Sequence, residues 1–173
     1  MQWVEWKGRV FKKTRPADAP ASRRRPAPGP HLLREGGLLA PWFMDYRLNE
    51  EIERARRHGR PLAVAIVRPI LLSGEAATPE AVAAVVDTAN AAARTTDLVG
   101  WAGGGRLLII MPETDAQHAQ VAVSRLRDEM WMRSRRVGGQ RWEIVLLEDT
   151  TPYETADQVN EELGVRPATA EAA

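Results

Sequence analysis

The chain has 173 residues, enough for one domain of ordinary size with flanking segments, and 44% of them are apolar, enough for a core. A formal charge of +1 makes no case for nucleic acid, and the lack of any cysteine excludes a disulfide scaffold or a thiolate metal site. No apolar run approaches the ~20 residues that span a bilayer and no signal-peptide pattern heads the chain, so the expectation is a cytoplasmic protein without a membrane span.

Residues 1–11 form an apolar arm through Trp3, Val4, Trp6, Val10 and Phe11, without a clean period. Residues 12–35 are rich in Pro, Ala and Arg, including Arg23, Arg24 and Arg25 and the run Pro26 to Pro30. Such a segment cannot bury enough surface to offset its ordering entropy, so it reads as a disordered basic linker. Its charge suits an anionic partner, but a solvated tether is the simpler reading.

The folded domain is expected over residues 36–164, with 165–173 a frayed tail. Met44, Leu48 and Ile52 recur every fourth residue among charged neighbours, which predicts an amphipathic helix stopped by Gly59 and Pro61. Leu62 to Val67 is a continuous apolar run of strand length, suited to a central strand buried on both faces. Thr78 as cap and Pro79 in the first turn open a second helix that carries Val82, Val85, Val86 and Ala89 to the core and ends near Arg94.

Leu98 to Ala102 and Leu107 to Met111 then read as a β-hairpin around Gly103, Gly104, Gly105 and Arg106, because glycine supplies the positive φ of tight turns. Thr114 with Gln117 predicts a capping box for a third helix with Ala119, Ala122, Val123, Leu126 and Met130 inward. A strand over Trp142 to Leu147 and an acidic helix over Tyr153 to Leu163 complete the pattern. Strands and helices sharing one core, with a tight antiparallel hairpin among them, predict an α/β fold: an α+β sandwich with a central, mainly antiparallel sheet flanked by helices.

The hairpin resembles the signature of the GGDEF family, the diguanylate cyclases, in which strand–GG(D/E)EF–strand makes the active-site turn. Gly103 and Gly104 fall on the paired glycines, while Gly105, Arg106 and Leu107 fall where the family has Asp/Glu, Glu and Phe. The stretch Gly37 to Leu48 is similar to the family's opening GLLNRRxFxxxL, with Ala40 where a guanine-binding Asn stands. The resemblance implies a nucleotidyl-cyclase palm, shortened at the C-terminus, since an AD-x-ALY-x-AK helix is not recognised and the match runs from Gly37 to Leu147. At the family's metal-binding carboxylates this chain offers Arg68 or Pro69, Gly105 and Arg106, so the resemblance implies neither a metal site nor cyclase catalysis. Arg106 is expected as a solvated turn residue, with phosphate contact the alternative.

Other chemistry is sparse. His31, His58 and His118 lack metal spacing or a nucleophile partner, and no Walker or dinucleotide motif occurs, so no cofactor is expected. One motif persists: Arg94-Thr95-Thr96-Asp97 ends five residues before the paired glycines, where the family places its inhibitory cyclic di-GMP site. Arg125 falls on that site's third position. An Arg fork reaches guanine O6 and N7 or phosphate, and an Asp accepts from guanine N–H groups. The structural alternative is that Arg94 answers the helix macrodipole and Asp97 caps the loop. Two functions therefore stand: an inactive GGDEF-like signalling domain that receives cyclic di-GMP, or a module that binds no nucleotide. The second would pair with a protein partner, such as a cyclase, or with itself as a homodimer, through Trp3, Trp6, Trp42 or Trp131.

Overall fold

The computed structural model describes residues 3–6, 9–12, 38–70, 77–134 and 141–165. Residues 13–35 of the predicted basic linker fall outside these, while Lys12 ends a strand, and all of the predicted tail except its first residue falls outside them too. Near the N-terminus, β1 (Trp3–Trp6) and β2 (Arg9–Lys12) pair antiparallel as a sheet of their own. The arm is thus a hairpin.

The main sheet has the order β4-β5-β3-β6, built from β3 (Leu62–Ile70), β4 (Leu98–Gly103), β5 (Arg106–Pro112) and β6 (Arg141–Leu147), with every neighbouring pair antiparallel. Leu62 to Val67 are all buried because β3 is central and helices cover both faces. Ala63, Ala65 and Val67 face one core with α2 (Pro79–Ala92) and α3 (Ala116–Ser134). The larger Leu62, Val64 and Ile66 face a second core with α1 (Pro41–His58) and α4 (Ala156–Glu162). The alternation of β3 therefore distributes its side chains between two helical layers.

β3 runs past the predicted end at Val67, because β6 pairs with it through Arg68↔Glu143, Pro69↔Trp142 and Ile70↔Arg141. Pairing with β5 stops at Val67↔Leu107, so Pro69 stands where the strand has one neighbour and its missing N–H is tolerated. On the other side of the sheet, Leu39 bridges Gly100: the Trp101 N–H donates to the Leu39 carbonyl at 2.9 Å. Gly100 is required there, since a Cβ would lie 2.3 Å from Met44 Cγ and 2.9 Å from the Leu39 carbonyl oxygen.

The helix ends follow from local chemistry. Pro41 opens α1, whose buried stripe is Met44, Leu48 and Ile52, and left-handed Gly59 closes it. Thr78 caps α2 by accepting from the Ala81 N–H. For α3 the cap is Asp115, one residue later than expected: it accepts from the His118 N–H, whereas the Thr114 hydroxyl donates to the Pro112 carbonyl. Glu113 at φ 53 turns the chain there, displacing Thr114 from the capping position.

α4 is shorter than predicted, because Thr155 rather than Tyr153 opens it, in a capping box with Gln158. It ends in a Schellman turn, with Val165 N–H on the Asn160 carbonyl, Gly164 N–H on the Glu161 carbonyl and Gly164 at φ 69. Val165, expected in the frayed tail, is 5% exposed and part of the α1–α4 core.

Candidate functional site

The β4–β5 turn is the first candidate. Gly103 pairs with Arg106, and Gly104 and Gly105 at φ 58 and 70 form the two-residue loop. Positive φ at both central positions is what a type I′ turn demands. Arg106 leaves this turn half-buried rather than solvated, and its Nη1 donates to the Gly164 carbonyl at 3.5 Å. Arg68 also approaches Gly164, since a Cβ there would lie 3.5 Å from its Nη1, while its Nε donates to Glu143 at 2.8 Å. The family resemblance already set Arg68 and Arg106 at neighbouring positions, but their partners Glu143 and Gly164, 75 and 58 residues away, carry no local signal. Two guanidiniums thus converge on the C-terminal end of α4, where carbonyl oxygens favour cations.

The second candidate is the corner where α2 hands over to β4. The Asp97 N–H donates to the Arg94 carbonyl at 3.0 Å, and Asp97 Oδ2 accepts from the Arg94 N–H at 2.8 Å. These two bonds make the R-x-x-D tetrapeptide a closed turn and leave the exposed Arg94 side chain without an ion pair among the described residues. Arg125, on the neighbouring α3, donates from Nη2 to the Ala92 carbonyl at 2.6 Å. Arg94 and Asp97, in the loop after α2, and Arg125, on α3, therefore lie around the end of α2. Asp97 Oδ1 is buried with no hydrogen-bond partner among the described residues. It lines a cleft of about 320 Å³, counted with its open mouth, walled by Ala65, Ala89, Ala92, Ala122 and Leu126.

Solved structures carry the same frame. The chain overlays a diguanylate cyclase, SiaD from Pseudomonas aeruginosa, crystallised with its activator SiaC, at a TM-score of 0.66 and 24% identity over 77% of this chain. It spans 55% of that SiaD chain. The GGDEF domain of DgcB from Caulobacter crescentus, solved with c-di-GMP, aligns at 0.63 and 17% identity, over 82% of this chain and 88% of that one. A DGC protein from Thermotoga maritima gives 0.59 and 16% identity, over 78% of this chain and 95% of that one. The fold is GGDEF-like. The sequence matches no family model and no curated protein.

Within this GGDEF-like domain α4 follows β6. Its first residues, Ala156 and Asp157, are those that begin the AD-x-ALY-x-AK motif, and the later positions depart from it. Among the described residues, no group of three His, Cys, Asp or Glu side chains is placed to hold a metal ion, and no helix is long and apolar enough to cross a membrane. Of the histidines, His58 lies in the last turn of α1 and His118 in the first turn of α3 against Asp115, while His31 is outside the described residues. Trp131 is exposed, but Trp42 is half-buried with an edge-on contact to Phe43. The side chains of Trp3 and Trp6 are outside the described set.

Proposed function

We infer that this chain is a non-catalytic GGDEF-like signalling domain that receives cyclic di-GMP at the corner of Arg94, Asp97 and Arg125. The observation that carries this reading is that the exposed Arg125 of α3 donates to the Ala92 carbonyl at the end of α2, two residues before the exposed Arg94, whose backbone N–H holds Asp97. Two such forks meet the needs of a ligand with two phosphates and two guanines. The inactive reading is supported by the family resemblance, which sets Arg106, Gly105 and either Arg68 or Pro69 where metal-binding carboxylates stand, and none of these can hold magnesium.

The carboxylate of Asp97 is already engaged by the Arg94 N–H, so ligand binding rests on the guanidiniums while Asp97 shapes the loop. That same engagement favours the second reading, a module that binds no nucleotide and acts through protein contacts. Arg94→Asp separates the two. Loss of cyclic di-GMP binding with the fold intact supports the receptor, and a native chain that binds none supports the interaction module. Incubation with GTP and magnesium tests inactivity, and production of cyclic di-GMP would overturn it.

A further inference from the structure

α3 buries Ala119, Val123, Leu126 and Met130 in the core it shares with the sheet and α2. Those residues are spaced by four, three and four, and the same spacing recurs two positions later at Val121, Arg125, Asp128 and Met132. Two positions turn a helix by about 200°, so the second set lies opposite the buried one. All four are exposed, Val121 by 65% and Met132 by 61%. Among the described residues four large apolar side chains are exposed, and three of them, Val121, Trp131 and Met132, are on this helix. Single apolar residues scattered over a surface need no explanation, but a group on one helix face does.

The stripe is its own complement. Read from Val121 it runs apolar, cation, anion, apolar, so an antiparallel copy presents apolar, anion, cation, apolar to it. Val121 then meets Met132 of the second copy and Arg125 meets Asp128, each pair made twice, as a twofold axis requires. Alternate spacings of four and three are also those that keep a stripe facing a second helix. We propose that two copies of this chain pair through the outer faces of α3, antiparallel and in this register.

The charged positions allow it. Asp128 forms no ion pair among the described residues. Arg125 places Nη2 on the Ala92 carbonyl, and a guanidinium has further N–H donors for a carboxylate. A parallel pair would set Arg125 on Arg125 and Asp128 on Asp128, and such like-charge contacts select against it. Val121 to Met132 spans only about 17 Å of helix, so the interface is small and the dissociation constant is on the order of 100 μM. Pairing of this kind needs no nucleotide, and the variants that test it leave Arg94, Asp97 and Arg125 intact, so the receptor reading can fail without it.

Sedimentation equilibrium of the full chain from about 10 μM to about 1 mM should show the mass rising from 19.2 kDa towards twice that value. Val121→Glu and Met132→Lys each alter an exposed side chain and each add the charge that suits their end of the helix, so both fold. Either alone should weaken association at least about tenfold. A native chain that stays monomeric throughout, or association that neither substitution weakens, overturns the proposal. Disulfide trapping reads the register, in a chain otherwise free of cysteine. Copies carrying Val121→Cys mixed with copies carrying Met132→Cys should cross-link at least about tenfold faster than either alone, because equivalent positions lie about 17 Å apart in the antiparallel pair. Faster cross-linking of either variant with itself, or equal rates in all three samples, overturns it.

Discussion

The Arg125 guanidinium donates to the Ala92 carbonyl at 2.6 Å and so fastens α3 to the last turn of α2. The carbonyls at a helix C-terminus lack intrahelical partners and carry negative partial charge, so a guanidinium is well matched there. The contact also fixes one of the two arginines of the proposed receptor before any ligand arrives. Arg125→Ala is expected to cost about 1 kcal/mol or less in chemical denaturation, because the group is exposed, yet to weaken cyclic di-GMP binding at least about tenfold. Arg125→Lys should recover most of the stability and little of the affinity, since an ammonium lacks the planar fork. Equal recovery of both by lysine would speak against a forked contact.

Gly100 gives a packing prediction. Gly100→Ala forces a methyl against Met44 and against the backbone of Leu39, so a loss of about 1–3 kcal/mol is expected. Met44→Ala combined with it should relieve only part of the loss, because the carbonyl of Leu39 remains at 2.9 Å from the new Cβ. A double-mutant cycle from denaturation curves checks this, and strict additivity would contradict the contact.

Asp45 on α1 accepts from Asn160 of α4 at 3.0 Å. Burial raises its carboxyl above the ordinary value of 3.8, Asn160 works in the opposite direction, and Asp157 adds to the rise. A raised folded-state value means that stability is fully present below about 3.8 and declines as pH climbs through the raised value. Asp45→Asn keeps an acceptor for Asn160 and removes the decline. The variant should therefore gain on the native chain as pH rises from about 4 to 7, in denaturation midpoints measured across that range. A difference that is flat with pH would count against a carboxyl held above its ordinary value by burial.

Thr155 caps α4 through the Gln158 N–H, while Gln158 Oε1 answers the Thr155 N–H. Thr155→Ala should cost about 1 kcal/mol, and Thr155→Ser should restore nearly all of it. If alanine costs nothing, the Asn49 side chain, which accepts from the Ala156 N–H, is sufficient to hold the helix start.

The elements that follow from local rules were legible in the sequence. The stripe of Met44, Leu48 and Ile52, the apolar run Leu62 to Val67 and the glycine turn each carry their own period or φ demand, and each folds as that demand requires. The positions that escaped depend on partners remote in the chain. β3 continues to Ile70 because β6 arrives beside it, and Arg106 is half-buried where the Schellman turn of α4 presents the Gly164 carbonyl. Asp115 takes the cap from Thr114 through the left-handed turn at Glu113, a backbone choice that side-chain patterns do not reveal. At the corner, the spacing of Arg94, Asp97 and Arg125 was readable, but the capture of Asp97 by the backbone of Arg94 was not.

The most direct test of the receptor is a calorimetric titration of the folded full chain with cyclic di-GMP, beside the Arg94→Ala variant. The account predicts saturable binding at micromolar ligand or tighter that disappears in the variant. No heat at high ligand concentration from a folded native chain, or undiminished binding by the variant, would contradict it.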